Sequence, residues 1–384
     1  MSWLILSGMG RLFSAALGLL LLAGAPAATG KDLTDRLVEP GRGDGRMSAL
    51  RDQMFEQLGI QRRLVRFEGG PTQAYWLLPP LDFGLESDLE IRGHTLHFEF
   101  HTNFAPEGGA RPAPAPERGS IVLLHGWGSD STAMLPWAMA LSGLGYRTVL
   151  VDLRNHGDSG TAPAGYGLRE GEDLTHLVRK LRAAGELPRP LFLMGLSYGA
   201  VTAIVAAARL GNEIDGVVAM APFDDATEAI HAIVDGVKQG GPSLKSRLVA
   251  TVARARYDRL DVERAIDEAG RRLGLDLRAL PIAEAMAAIP TCTLLLHGAR
   301  DDLVPPAASA RLARRNPRAV HVELPLDGHV SLAFRFGWLA EPLARWLEAS
   351  VGTGADGHCP GLELPPDPLD GMRVASPAAA GAET

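Results

Sequence analysis

Ser197 stands in the pentapeptide Gly195-Leu196-Ser197-Tyr198-Gly199. The apolar run Leu191–Met194 precedes it and the small-residue run Ala200–Ala208 follows, so the sequence reads as strand, sharp turn and helix with a serine at the turn. In such a G-x-S-x-G elbow the serine backbone is strained, and glycines are needed at both ends because side chains there would strike the adjoining strand and helix. The turn lifts the hydroxyl above the sheet, and the helix start contributes a backbone N–H and a favourable dipole. A serine hydroxyl is a poor nucleophile until a base takes its proton and an acid orients that base. Around an elbow of this kind the acid and then the histidine follow the serine in chain order.

Three histidines lie beyond the apolar run Thr293–His297: His321, His329 and His358. His321 falls inside a predicted strand, where a core or sheet-face role is expected, and His358 lies in a tail. His329 follows the strand Val320–Leu324 in the turn Asp327-Gly328-His329 and opens a helix, a position at the carboxyl end of a strand where ligands gather. His329 is therefore the expected base. The acid belongs on the loop after Thr293–His297, where Asp301 and Asp302 compete; Asp224 and Asp225, one strand earlier, are the alternatives. The oxyanion of a tetrahedral intermediate needs donors, and the Tyr198 N–H is one. The other is expected from the loop His125-Gly126-Trp127-Gly128 after the strand Ile121–Leu124, at the Trp127 N–H. Trp127 also offers an apolar wall for an acyl group. His125 is read first as a residue that ties the loop down, because a base upstream of the serine breaks the chain order. With Gly126 it is also a candidate for lining the substrate pocket.

These residues need a scaffold, and the sequence outlines one. From Ser120 onward, strands at Ile121–Leu124, Thr148–Leu153, Leu191–Met194, Gly216–Met220, Thr293–His297 and Val320–Leu324 alternate with helical stretches at Thr132–Leu144, Glu170–Ala184, Tyr198–Leu210, Ala307–Arg314 and Val330–Ala349. Most of these strands are nearly continuously apolar, as parallel strands buried on both faces are. The alternation predicts an α/β class chain with an open, doubly wound, mostly parallel sheet. Asp224–Ala288 is too long for a simple crossover and repeats its apolar residues at helical spacing, so it is read as an inserted helical cap (residues 224–288). Residues 31–118 form a leading region with short strands around Arg63–Phe67 and Gln73–Leu78, a strand or hairpin over Leu89–His101, and a Pro-rich loop; residues 119–350 form the core. The Gly-, Pro- and Ala-rich stretch 351–384 is expected to be disordered.

Taken together, these residues resemble the α/β-hydrolase superfamily of serine hydrolases. The matches are His125–Gly128, Asp152-Leu153-Arg154-Asn155-His156-Gly157-Asp158-Ser159, Gly195–Gly199, Gly298-x-x-Asp301-x-x-Val304-Pro305 and Gly328-His329, and they cover roughly Ser120–Leu347. The closest likeness within it is to the serine-aminopeptidase and monoacylglycerol-lipase-like group. In that group the aspartate of G-x-x-D-x-x-V-P is the triad acid, which falls here on Asp301. Asn155 departs from the pattern by replacing a glycine of the usual Arg-Gly-His-Gly. The resemblance implies an α/β-hydrolase fold and no cofactor. Ser197 disfavours the relatives that use an aspartate nucleophile.

The formal charge is −7 with no basic stripe, so nucleic-acid binding has no electrostatic support. Arg11, the apolar Leu12–Leu22 and the small residues Ala23–Ala27 predict an export signal over residues 1–27, with an uncleaved membrane anchor as the alternative. No stable membrane span is expected after cleavage, and the mature protein is placed in the periplasm or outside the cell. Cys292 and Cys359 could pair there, although Cys292 reads as a strand core residue and Cys359 as part of the tail. His97, Glu99 and His101 share one face of a predicted strand and are read as a solvated face rather than a metal site. The expected function is hydrolysis of a small-molecule carboxylic ester through an acyl-enzyme. The alternatives are amide or peptide hydrolysis or acyl transfer at the same site, or a non-catalytic binding protein on the same fold.

Overall fold

The computed structural model describes residues 32–40, 45–67, 69–92, 95–104, 111–240, 244–353 and 358–370 of the chain. The predicted export segment, residues 1–27, lies outside the described residues.

Eight strands form the central sheet: β1 (Arg63–Arg66), β2 (Thr72–Leu78), β7 (Gly119–Leu124), β8 (Tyr146–Val151), β9 (Leu191–Leu196), β10 (Gly216–Met220), β11 (Cys292–Gly298) and β12 (Ala319–Leu324). Their order is β1-β2-β8-β7-β9-β10-β11-β12. The pairs from β8 to β12 are parallel, and β1 and β2 extend the sheet antiparallel through the β2–β8 pairing. Alternate residues of each central strand feed opposite faces. Val122, Leu124 and Leu193 face one core, with helices α4 (Leu168–Ala183) and α5 (Tyr198–Leu210). Ile121, Leu123, Phe192 and Met194 face the other, with α3 (Leu135–Gly143) and α10 (Phe336–Ser350). This is the doubly wound architecture that the apolar strands predict.

Between β10 and β11 the chain forms α6 (Ala226–Gln239), α7 (Leu244–Arg256), α8 (Arg259–Leu273) and α9 (Ile282–Ala288). Asp225 caps α6 by accepting from the Thr227 and Glu228 N–H groups, and Asp258 caps α8 in a capping box with Asp261. On α8 the residues Val262, Ala265, Ile266, Ala269 and Leu273 recur at three- and four-residue steps and are all buried, so one stripe of the helix faces inward.

The leading region contributes α1 (Leu33–Val38), α2 (Gly45–Leu58), the short β3 (Leu81–Asp82) and β6 (Ala113–Pro114), which pair with each other, and the antiparallel hairpin of β4 (Glu86–Arg92) and β5 (Thr95–His101). The hairpin buries Phe98 and Phe100, and their rings lie 5.5 and 6.4 Å from Phe336. Glu99 is exposed, and among the described residues no group of three or more His, Cys, Asp or Glu is placed to hold a metal ion.

The expectation of disorder beyond residue 350 is corrected for residues 358–370, which run back along the body of the protein. A Cys292–Cys359 disulfide anchors this strap. Trp346 Nε1 donates to the Pro360 carbonyl at 2.8 Å, Asp367 pairs with the buried Arg335, and Leu369 is buried. Composition reports how few apolar anchors a segment has, not that one of its residues is crosslinked to the core. Residues 354–357 and 371–384 lie outside the described residues.

Candidate active site

The elbow between β9 and α5 has the geometry its glycines require. Ser197 has φ 54° and ψ −114°, outside the regions that L-residues favour. A Cβ on Gly195 would sit 2.1 Å from the Gly199 carbonyl oxygen, and one on Gly199 would sit 2.3 Å from the Leu124 carbonyl oxygen. Neither contact can be relieved by a side chain moving, because both struck atoms are backbone. The Ser197 N–H donates to the Met220 carbonyl at 2.7 Å, fastening the turn to β10.

Asp301 and His329 come together from the loops after β11 and β12. His329 Nδ1 donates to Asp301 Oδ2 at 2.6 Å. The second oxygen, Oδ1, accepts from the Leu303 N–H at 2.9 Å and the Val304 N–H at 2.8 Å. His297, at the end of β11, donates from Nε2 to Asp301 Oδ2 at 3.1 Å, while its Nδ1 accepts from Ser309 Oγ at 2.7 Å. The tautomer follows from the partners, because both groups near Nε2, the carboxylate and the Val304 carbonyl, are acceptors. Burial alone would raise the Asp301 carboxyl, but His329 and His297 together hold it well below the ordinary carboxylate range. Burial alone would lower His329, but the charge and hydrogen bond of Asp301 outweigh it and raise the imidazole above its ordinary value. With Nδ1–H committed to Asp301, Nε2 is left as the basic nitrogen. The one sequence signal for His297 is a histidine ending a buried strand four residues before Asp301.

The other carboxylates have different employment. Asp224 holds Arg311 in two bonds of 2.6 and 2.7 Å, Asp225 caps α6, and Asp302 is exposed. His321 lies in β12, and burial lowers its pKa.

The loop after β7 packs against the elbow. A Cβ on Gly126 would lie 3.7 Å from Ser197 Cβ. His125 is fully buried: it accepts from the Leu153 N–H at Nε2 (3.0 Å) and faces the Gly126 carbonyl with Nδ1 (2.8 Å). It does not line the cavity, so the pocket-lining expectation for His125 is corrected and the loop-tying one describes it. His156 holds the same loop by accepting from the Gly128 N–H at 3.3 Å, and burial, with the neighbouring His125, lowers its pKa to about 3 and keeps it neutral. From the leading region, α2 reaches this loop's continuation: Ser48 Oγ donates to Asp130 Oδ2 at 3.0 Å and Arg51 to Ser131 Oγ at 2.7 Å. Asn155 takes the left-handed conformation (φ 63°) that a glycine would supply, which asparagine tolerates better than most residues.

A cavity of about 580 Å³, counted to its open mouth, starts at Ser197, Tyr198, Trp127 and Val304. Gly126 is not among its lining residues. Phe223 and the α6 residues Ile230, Ile233 and Val234 continue the wall, and Tyr166, Leu33 and Leu37 complete it. Among the described residues, the lining carries no charged side chain. The Trp127 and Tyr198 rings meet edge to face with centroids 5.0 Å apart.

Residues 121–368 match the model of the alpha/beta hydrolase family. The chain belongs to the alpha/beta hydrolase family. A curated relative, the uncharacterized protein YqkD of Bacillus subtilis, is 25% identical over 217 residues, which span 56% of this chain and 66% of YqkD, just under two thirds of its length. Among solved structures, the Pyrococcus furiosus esterase Pf2001 superposes with a TM-score of 0.51 at 17% identity, covering 81% of this chain and 94% of the esterase. A hydrolase from Pseudomonas aeruginosa PA01 superposes with a TM-score of 0.45 at 19% identity, over 75% of this chain and 96% of that one. The Pf2001 superposition shows the shared fold.

Proposed function

We propose that this hydrolase cleaves carboxylic esters through a serine acyl-enzyme. The observation that carries the reading is the Asp301–His329 bond of 2.6 Å beside an apolar cavity that begins at the strained Ser197. Ser197 Oγ attacks the ester carbonyl while His329 Nε2 takes its proton. The oxyanion is held by the Tyr198 and Trp127 N–H groups. His329 then protonates the alcohol as the carbonyl–oxygen bond breaks, and a water activated by the same imidazole releases the acid and restores Ser197. Asp301 holds the Nδ1–H tautomer and offsets the imidazolium charge. The neutral, apolar cavity favours the acyl part of an ester over a peptide, whose backbone would be buried there without partners. The Cys292–Cys359 disulfide supports an oxidising compartment, and with the signal-like residues 1–27 an exported protein.

A fluorophosphonate probe tests the reading. Wild type is expected to label, and Ser197→Ala and His329→Ala are not. Wild-type labelling should be followed by turnover of p-nitrophenyl esters. Folded wild-type protein that neither labels nor cleaves any ester of a graded series would overturn it.

A further inference from the structure

Part of the cavity wall comes from the leading region of the chain. Helix α1 stands at the start of the described chain, outside the matched residues 121–368, yet Leu33 and Leu37 line the same cavity as Ser197. Both leucines are buried, at 3% exposure each. The helix is held by specific bonds rather than by contact alone. Asp32 and Asp35 form a capping box that fixes its first turn. Arg272 of α8 donates to Asp35 Oδ1 at 2.8 Å. Tyr166 joins the two ends of the pocket: its N–H donates to the Tyr198 hydroxyl at 3.1 Å, and its own hydroxyl donates to the Leu37 carbonyl at 2.8 Å. The leucines therefore sit at the end of Tyr166 remote from the residue that follows the nucleophile. The α6 side chains Ile230, Ile233 and Val234 line the same cavity.

We infer that Leu33 and Leu37 form the far wall of the acyl pocket and set the length of acyl chain the enzyme accepts, so that specificity is written partly in the leading helix and not in the cap alone. The inference rests on the ester-hydrolase reading. The substrate class it names is an ester of an unbranched, medium-length aliphatic acid. The acyl chain is neutral and apolar along its length, as the lining is, and each methylene it buries strengthens binding of the transition state by about fourfold. A methylene that meets the wall instead gains nothing.

The test is the ratio of kcat/KM for p-nitrophenyl decanoate to that for the butyrate, with active sites counted by fluorophosphonate labelling. Leu33→Ala and Leu37→Ala each remove three carbons from the wall. Room for about two further methylenes is expected to raise the ratio about fifteenfold. Leu37→Phe fills the pocket and is expected to lower the ratio by at least fivefold. That variant adds bulk without opening a void, so it reads the wall even where an alanine variant does not fold. Labelled variants whose ratios all stay within threefold of wild type overturn the inference and leave the hydrolase reading standing. If wild type cleaves no ester, calorimetric binding of the neutral C4 to C12 1-alkanols replaces turnover. A preferred length that moves with Leu37 then upholds the wall and sinks the hydrolase, and one that does not move sinks the wall as well.

Discussion

Replacing Asp301 with asparagine changes one atom and should disable the site. In the wild type, Oδ1 accepts two backbone N–H bonds of 2.9 and 2.8 Å and Oδ2 accepts from two imidazoles at 2.6 and 3.1 Å. An asparagine can satisfy only half of this. Its oxygen keeps the Leu303 and Val304 amides, so its amino group must face both histidines. His329 Nδ1 then has to accept, its proton moves to Nε2, and the nitrogen proposed to take the serine proton becomes a donor. The imidazolium of the transition state also loses its counter-charge. In a serine protease the same exchange costs about ten-thousandfold in rate, which is about 5.4 kcal/mol at 1.36 kcal/mol per decade. We expect a loss of that order in kcat/KM for Asp301→Asn, assayed on p-nitrophenyl esters with labelled sites counted. The pH profile supplies a second readout. His329 must be neutral to act, and Asp301 raises its pKa above the ordinary 6.5, so wild-type activity should rise through a midpoint above 6.5. In Asp301→Asn that midpoint should move down, because burial still lowers the imidazole and the raising charge is gone. Asp302→Asn, an exposed neighbour, should stay within about threefold of wild type. An Asp301→Asn enzyme within tenfold of wild type would refute the assignment of the acid.

Three further outcomes are expected of this structure. The disulfide closes a loop of 67 residues, for which the chain-entropy relation gives about 4 kcal/mol; Cys292→Ser with Cys359→Ser should lower the urea midpoint accordingly, and an unchanged midpoint would contradict a structural bond. Asn155→Gly should be nearly neutral in the same assay, whereas Asn155→Val should lose about 1–2 kcal/mol for a branched residue held at φ 63°; equal stability of the two would show that the turn does not need the left-handed conformation. Folded Asp301 binds its proton well below the ordinary unfolded value of about 3.9, so its stabilisation is full above that pH and lost as pH falls towards the folded value; Asp301→Asn should flatten this acid limb in urea melts between pH 5 and 2.5, and an unchanged limb would assign it to other groups.

The parts of this molecule that the sequence discloses are those with local signatures. The elbow shows itself because glycine, serine and glycine must be adjacent and must sit between a buried strand and a helix. The apolar strands show themselves because burial on both faces leaves no polar position. Asp301 was the more open case. Sequence alone sets it beside Asp302, Asp224 and Asp225, and only the hydrogen bonds distinguish them: one grips His329, one is exposed, one holds Arg311 and one caps α6. What stayed hidden are relations across long separations. Nothing around Leu33 signals that it lines a cavity with Ile230. The two cysteines of a chain with a predicted export signal allow a Cys292–Cys359 bond, but nothing around Cys359, in a stretch of glycine and proline, favours that bond to the start of β11 over a free residue in a tail. His297 is hidden for the opposite reason, because it ends an apolar strand and reads as ordinary core, although its ring donates to Asp301.

The neutral lining of the cavity has a consequence for the end of the proposed cycle. The ester that enters carries no charge, but the acid that forms ionises at once in neutral water. Its carboxylate is generated in a cavity whose lining, among the described residues, has no cationic side chain and whose tyrosine hydroxyls already serve Leu37 and Tyr166. An anion left there with only the oxyanion donors is poorly solvated. The aliphatic tail, by contrast, is equally content before and after the reaction. The pocket thus tells substrate from product by charge alone, and hydrolysis itself ejects what it makes, so accumulating acid should be a weak inhibitor even where its ester binds well.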